Sequence, residues 1–389
     1  MAHVYGIDAA GEALLAGPVA KAKAVAAAHA EDVDGKGRFP DEGMRALAEQ
    51  GLWGLCVEKA AGGLGAGPNL FAGVVEELAT ACASTAMVYV MHVTAGQMVA
   101  ASKTVADRGA LLAEMAAGRH LTTLAFSEKG SRSHFWAPVS ALVEQGAGFS
   151  TSAQKSWVTS AAKADSYVSS AQAPRAASPL ESALYLVRKG SRGVRIAGPW
   201  HGLGLRGNDS APVSFEGLAV GKGDLLTEPG KGADGMLQVV LPWFAVGTSS
   251  MAHGLCRAAV AATAGHLGAA GFEHAGTKLR DLPTLRARLA QMSIRTEASR
   301  SLLGRTVASM AAPTAETPLL VLQARAAALE AALEVTDLGM RACGGAAFSR
   351  HLPLERVFRD ARAGWIMAPT VDHLQEFVGR ALVGLPLFG

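Results

Sequence analysis

Residues 121–221 consist of short runs in which apolar and polar residues alternate: LTTLAFS (121–127), GFSTSAQKSWVTSA (148–161), DSYVSSAQA (165–173), SALYLVRKG (182–190), GVRIAG (193–198) and APVSFEGLAV (211–220). A period of two residues is typical of β-strands, and Gly, Pro and Ser separate the runs as turn residues do. We therefore predict an antiparallel sheet domain of about 100 residues here.

The chain on both sides of this region has a helical period instead. Apolar residues recur every three or four positions in FPDEGMRALAEQGL (39–52) and over 69–102, and again over 279–311 and 318–341. A last helix, TVDHLQEFVGRAL (370–382), begins with a threonine suited to cap it. The pattern predicts three domains: helical over 1–120, sheet over 121–225 and helical over 226–389.

Composition excludes several classes of protein. The 389 residues carry a formal net charge of +3, and the basic residues are scattered, which argues against a nucleic-acid-binding surface. The first residues include Asp8 and Glu12 and make a poor secretion signal. Pro242, His253 and Arg257 interrupt the apolar stretch 237–267, which favours a buried helix over a membrane span.

Neither the cysteines nor a glycine motif indicates a familiar site. Cys56, Cys82, Cys256 and Cys343 lie far apart, so we expect neither a disulfide scaffold nor a metal site, and we expect a cytoplasmic location. GLGLRG (202–207) fits the dinucleotide pattern GxGxxG but precedes another predicted strand. Because that pattern needs a strand before it and a helix after it, we predict no Rossmann site.

Longer segments carry a pattern that runs nearly end to end. They are FPDEGMRALAEQGLWGLCVEKAAGGLG (39–65), LAFSEKGSRS (124–133) followed by QKSWVTSAAKAD (154–165), GLGLRGNDSAPVSFEGLAV (202–220) and CGGAAFSRHLPLERVFRDARAGWIMAPT (343–370). In this order they resemble the acyl-CoA dehydrogenase superfamily of flavoproteins. The resemblance implies an N-terminal all-α domain, a central antiparallel β-barrel-like domain and a C-terminal four-helix bundle, assembled as a homotetramer or dimer.

The resemblance also implies FAD as the cofactor, bound where the sheet meets the C-terminal helices. The residues on the ring and ribityl side would be Phe126, Ser127, Ser131, Trp157, Val158 and Thr159, with Trp157 over the ring system and the Thr159 hydroxyl reaching N5. A neighbouring subunit would approach the phosphates or adenine with Gly344, Gly345 and Thr370. The arginine that the superfamily uses across this interface is missing from FEHAG (272–276), and Arg341 could supply its charge.

The main departure concerns the catalytic base. In the superfamily a glutamate removes the α-proton of the acyl group, and its usual position is occupied here by Ala368. Some members place it instead on the first helix after the sheet, directly before an arginine, and this chain has Phe244 and Ala245 at those two positions. The Ala368 N–H could still polarise a thioester carbonyl. Asp372 and Glu128 are the candidates for a substitute base.

These features predict an FAD-dependent oxidoreductase of the acyl-CoA dehydrogenase type, acting on an acyl thioester of CoA or of an acyl carrier protein. Two alternatives remain open. One is a flavin-dependent monooxygenase or a β-elimination enzyme of the same superfamily, which needs no carboxylate at Ala368. The other is a catalytically silent relative that binds flavin or a thioester.

Overall fold

A computed structural model describes residues 3–388 and shows helices, then sheets, then helices. The first helical part contains α1 (Ala9–Leu14), α2 (Ala20–Lys36), α3 (Asp41–Glu49), α4 (Pro68–Ala79), α5 (Ala83–Ala101) and α6 (Arg108–Ala116). The continuous pattern predicted over 69–102 is divided between α4 and α5. Nearly every residue of α5 is buried, so this helix lies in the interior and not on an amphipathic surface.

The middle part forms two sheets. The strands are β1 (Thr122–Ala125), β2 (Val143–Gln145), β3 (Gly148–Val158), β4 (Ser166–Gln172), β5 (Ser182–Arg188), β6 (Val194–Ile196) and β7 (Ala211–Val220). Their orders are β1-β4-β5 and β2-β3-β7-β6. The predicted antiparallel pairing holds except for β1 and β4, which are parallel because β2 and β3 form a long crossover between them.

The last part is helical, as predicted. It contains α7 (Gly232–Gly235), α8 (Leu241–Ala269), a small hairpin of β8 (Gly271–Phe272) and β9 (Thr277–Lys278), α9 (Pro283–Ala311), α10 (Thr317–Cys343), α11 (Gly345–Phe348), α12 (Leu354–Ile366) and α13 (Val371–Leu382). Helix α10 packs against α8, α9, α12 and α13. The predicted threonine cap of the last helix is confirmed, because the Thr370 side chain accepts a hydrogen bond from the His373 N–H.

Two apolar cores organise these parts. One is shared by the N-terminal and C-terminal helices, and the other lies between the two sheets. The stretch 232–269 is long and apolar enough to cross a membrane by length and composition, but 78% of its most apolar window is buried in the protein. Packing against α4, α5 and α10 therefore accounts for the low polarity of α8.

Candidate active site

A cavity of about 930 Å³ opens where the sheets meet α5, the start of α8 and the turn after α12. Pockets for small molecules and cofactors commonly enclose about 300–1,000 Å³. We call it the seam pocket. Its lining residues come from all three parts of the chain: Met87, Met91, Leu124, Phe126, Ser127, Glu128, Lys129, Gly130, Arg132, Ser133, Phe135, Ser156, Trp157, Thr159, Trp200, His201, Gly202, Leu203, Leu205, Asn208, Ser210, Val240, Leu241, Phe244, Ala363, Ile366, Met367 and Ala368.

The end of β3 presents an indole ring to the seam pocket. The register of β3 against β7 shifts between Lys155 and Val158, and Trp157 adopts φ = 57°, a left-handed conformation that is uncommon outside glycine. The Trp157 side chain is 63% exposed and contacts Trp200 edge-on, with ring centroids 5.6 Å apart. A planar ligand could therefore stack on this exposed ring.

Polar groups lie next to this indole. Thr159 is buried, and its Oγ1 lies 3.0 Å from the Oγ of Ser210, which also lines the pocket. Asn208 is buried too, and its Oδ1 has no hydrogen-bond partner among the described residues. Because a buried polar atom without a partner is costly, a donor on a bound ligand would stabilise this arrangement. Val158 differs from its neighbours, since its side chain lies in the core between the sheets.

Glu128 anchors the loop that follows β1. Its Oε1 accepts hydrogen bonds from Lys155 Nζ and from Ser140 Oγ, both at 2.6 Å. Its Oε2 accepts hydrogen bonds from the N–H groups of Val139, at 2.8 Å, and Ser140, at 2.7 Å. Burial alone would raise the pKa of this carboxyl, but Lys155 and the Ser140 hydrogen bonds outweigh burial and lower it. Its acceptor positions are thus occupied, so the hypothesis that Glu128 replaces the base receives no support.

Two serines of the same loop have different surroundings. Ser127 lines the seam pocket, and its carbonyl accepts a hydrogen bond from the Ser156 N–H at 2.8 Å. Ser131 is buried, and its hydroxyl bonds to both the N–H and the C=O of Glu128. Ser131 therefore closes the turn and lies outside the lining of the pocket. Phe126 lines the pocket and stacks on Phe135.

The GLGLRG stretch lies in the loop between β6 and β7, and a strand follows it, as predicted. The Leu205 N–H donates a 2.7 Å hydrogen bond to Oδ1 of the buried Asp360 on α12. Arg359 donates to the Leu203 carbonyl at 3.1 Å and to Asp34 of α2 at 2.7 Å. The Arg-Asp pair of the fourth motif thus holds one wall of the pocket. Burial raises the pKa of Asp360 to about 7.

The opposite wall is apolar. It is formed by Met87 and Met91 of α5, by Val240 at the end of a π-helical stretch, and by Leu241 and Phe244 in the first turns of α8. π-helical stretches inside helices are frequent at functional sites. Met87, Met91 and Leu241 suit the hydrocarbon part of a ligand, because burying such groups against apolar side chains is favourable.

Neither predicted base position places a carboxylate in the seam pocket. Ala368 and Phe244 both line it, whereas Ala245 is buried outside the lining. Among the lining residues of the described chain, Glu128 is the one carboxylate, and it is fully hydrogen-bonded. Asp372 lies exposed on the first turn of α13 and is not a lining residue, so the structure does not bring it to the site.

The residues expected from a neighbouring subunit lie outside the seam pocket. Arg341 is exposed and lies 3.8 Å from Asp337. Gly344 has φ = 56°, and a Cβ atom built on Gly344 or on Gly345 would meet open space. Thr370 lies at the start of α13, where its hydroxyl caps the helix.

Several lining residues were not predicted from the sequence. Trp200 and Asn208 flank the glycine-rich loop, and their one signal in the sequence was their place beside a predicted turn. Within residues 3–388, no group of three or more His, Cys, Asp or Glu side chains could hold a metal ion. The four cysteines are free thiols.

Comparisons with known proteins cover all three parts of the chain. Residues 12–119, 123–218 and 230–383 match, respectively, the N-terminal, middle and C-terminal domain models of acyl-CoA dehydrogenase. The mitochondrial short-chain specific acyl-CoA dehydrogenase of Bos taurus is 27% identical over 351 residues, which cover 90% of this chain and 84% of that protein. The corresponding Homo sapiens protein is 27% identical over 354 residues, with the same coverage.

Solved structures show the same fold. Butyryl-CoA dehydrogenase from Megasphaera elsdenii superimposes with a TM-score of 0.91 at 20% identity, covering 97% of this chain and 99% of that one. Glutaryl-CoA dehydrogenase in complex with glutaryl-CoA gives a TM-score of 0.92 at 20% identity, covering 98% of this chain and 97% of that one. At this identity, the likeness concerns the fold alone.

Proposed function

The chain belongs to the acyl-CoA dehydrogenase family, and from this premise we propose that it is an FAD-dependent oxidoreductase acting on the acyl group of a thioester. One observation carries the proposal: the exposed Trp157 ring, the Thr159 hydroxyl and the apolar wall of α5 and α8 share a single cavity with Ala368. The cavity thus combines a stacking surface and polar groups with a space for hydrocarbon.

The described residues fit a flavin. Trp157 offers a flat exposed ring, Phe126 and Ser127 line the same pocket, and the unpartnered Asn208 Oδ1 could accept a hydrogen bond from the ligand. When bound, FAD supplies a hydride acceptor at N5. We propose that Trp157 and Thr159 hold its ring system, that Ser131 shapes the loop beside it, and that Val158 contributes backbone atoms only. Arg341, Gly344, Gly345 and Thr370 would serve the cofactor of a neighbouring subunit.

The thioester carbonyl would be polarised at the turn after α12. The Ala368 N–H donates no hydrogen bond within the part of the chain that the structure describes, and Ala368 lines the pocket. An amide N–H directed at a carbonyl oxygen stabilises the negative charge that develops there. The site is non-standard because no available carboxylate accompanies this donor.

The anaerobic reaction of the reconstituted FAD enzyme with acyl-CoAs tests the proposal, with loss of the oxidised flavin's visible absorption as the measurement. We expect slow bleaching by the wild type and faster bleaching by Ala368→Glu, which restores a carboxylate. Ala368→Gln is the matched control, because it adds similar volume without a base. Absence of bleaching in all three proteins, with acyl-CoAs and with the same acyl groups on acyl carrier protein, would contradict dehydrogenation.

The missing carboxylate also favours a second candidate, a monooxygenase or β-elimination reaction on the same fold. Turnover that requires oxygen and an external flavin reductase would support the monooxygenase, and anaerobic release of a β-substituent would support elimination. A preparation that stays colourless with added FAD would instead identify a silent relative.

We further propose a homo-oligomer, either a tetramer or a dimer. Large apolar side chains are exposed on α11, α12 and the end of α13: Phe348 (85%), Ile366 (74%), Leu382 and Val383. Exposed apolar groups of this kind often mark subunit interfaces. Sedimentation as a monomer would contradict the assembly.

The carrier and the location remain predictions. Lys129, Arg132 and His201 line the seam pocket and would suit the phosphates of either CoA or an acyl carrier protein. Parallel assays with the same acyl group on each carrier would distinguish them. A cytoplasmic location is still expected, and cell fractionation would test it.

A further inference from the structure

Arg325 of α10 is a fully buried cation beside the seam pocket. Its Nη2 donates a 3.1 Å hydrogen bond to the Met367 carbonyl, and its guanidinium carbon lies 4.8 Å from the centre of the Phe244 ring. Its Nε and Nη1 have no hydrogen-bond partner among the described residues. Burial lowers the pKa of Arg325 to about 9, so the side chain is still charged at neutral pH.

Both contacts of Arg325 belong to the pocket wall, and both concern a position expected to hold the base. Phe244 is one such position, and the Met367 carbonyl belongs to the peptide unit whose N–H is that of Ala368. The protein therefore places a cation directly behind the wall where the superfamily places a carboxylate. Arg325 itself does not line the pocket, so any effect of its charge on a ligand acts through this wall.

A buried charge without a counter-charge is strongly unfavourable, so interior cations are normally paired. Other cations inside this protein follow the rule: Lys155 lies 2.6 Å from Glu128, and Arg300 lies 2.9 Å from Glu76. Among residues 3–388, no carboxylate forms an ion pair with Arg325. The cation–π contact with Phe244 and the Met367 carbonyl compensate only part of this cost.

We propose that Arg325 makes the seam pocket selective for an acyl thioester whose acyl group also carries a free carboxylate, on or next to the α-carbon. That carboxylate would lie against Phe244 and Ala368, in the space that a catalytic glutamate would otherwise fill. Arg325 acts here as a positioning and specificity residue from behind the wall. The inference rests on the proposed function, since it presupposes a thioester in this pocket.

Calorimetric titration of the FAD-reconstituted protein with two ligands of similar shape tests the inference. Malonyl-CoA carries a carboxylate where 3-methylbutanoyl-CoA carries an uncharged isopropyl group. We expect the wild type to bind malonyl-CoA at least about tenfold more tightly, because only the carboxylate is attracted by the uncompensated charge of Arg325 across the poorly screened pocket wall. Equal binding of the two ligands would overturn the inference.

Met367 is the C-cap residue of α12, so the hydrogen bond from Arg325 could simply stabilise the end of this helix. Variants of Arg325 separate ligand recognition from such a structural role. Arg325→Met should weaken malonyl-CoA binding at least about tenfold and change 3-methylbutanoyl-CoA binding less than about threefold. Arg325→Lys, which keeps the charge, should retain part of the preference. Arg305→Met, at an exposed arginine of α9, is the matched control and should change neither affinity.

The remaining outcomes are also decisive. An equal loss for both ligands in Arg325→Met would show that Arg325 only supports the turn, which overturns the inference. If Arg325→Met does not fold, the affinities of the wild type and of Arg325→Lys for malonyl-CoA and 3-methylbutanoyl-CoA still test the inference. Failure of the wild type to bind butyryl or any other acyl group, whether on CoA or on acyl carrier protein, would reject the proposed function itself. Tight binding of butyryl-CoA without a preference for malonyl-CoA would reject only the anionic substrate.

Discussion

Replacing Glu128 by glutamine is expected to destabilise the protein by about 3–5 kcal/mol, the usual cost of removing one partner of a buried ion pair. The Glu128 carboxylate lies 2.6 Å from the Lys155 ammonium, both side chains are almost completely buried, and three further hydrogen bonds converge on the carboxylate. In Glu128→Gln the ammonium remains buried and keeps the Ser170 carbonyl as a partner, but it loses its counter-charge. The loop that carries Phe126 and Ser127 should loosen as well.

Thermal unfolding followed by circular dichroism measures this effect. At about 2.1 cal/mol/K of unfolding entropy per residue, the 389 residues give a shift of about 1.2 °C per kcal/mol, so the loss corresponds to a fall in Tm of roughly 4–6 °C if the chain unfolds as one unit. The control is Glu144→Gln, which removes the exposed pair of Glu144 and Arg175 and should change stability by no more than about 1 kcal/mol. A Glu128→Gln variant as stable as Glu144→Gln would refute the reasoning.

The pH dependence of the same pair provides an independent check. Because Lys155 and the Ser140 hydrogen bonds hold the pKa of Glu128 below its ordinary value, ionised Glu128 stabilises the folded state above the pKa of the unfolded chain. This stabilisation is lost as the pH falls through the lower, folded-state pKa. The difference in Tm between wild type and Glu128→Gln should therefore shrink below about pH 4.

Three further substitutions test other parts of the site. Trp157→Ala should lower the FAD content of the purified protein while changing its stability by only about 0.5 kcal/mol, because the ring is exposed; unchanged FAD content would contradict the stacking role. The Tm of Asp360→Asn relative to wild type should be higher at pH 8 than at pH 5. Because burial raises the pKa of Asp360 to about 7, the folded wild type loses stability as the pH rises and the carboxylate ionises, whereas the amide has no charge to bury. A Tm difference from wild type that is independent of pH would contradict this. Gly204→Ala would place its Cβ against the Arg359 carbonyl, so it should lower both Tm and FAD retention. Gly190→Ala has open space around the Cβ position but a φ of +80°, which strains an alanine, so it should lower Tm and leave FAD retention unchanged.

Local periodicity predicted the elements well. The alternating runs of the middle region became β1, β3, β4, β5, β6 and β7, and the helical patterns at 279–311 and 318–341 became α9 and α10. The parallel pairing of β1 with β4 could not be predicted in this way. A strand's partner depends on how the intervening chain returns to the sheet, and that is not a property of either strand alone.

The sequence by itself determined the family pattern, the order of helices and strands, and the absence of a carboxylate at Ala368 and Phe244, because residue types and their spacing are local properties. Tertiary structure alone decided the roles of the charged residues. It paired Glu128 with Lys155, left Asp372 in solvent, and placed Arg325 against Phe244 and Met367. The physical reason is that the energy of a charge depends on its burial and on its partners, which chain folding brings together from distant positions.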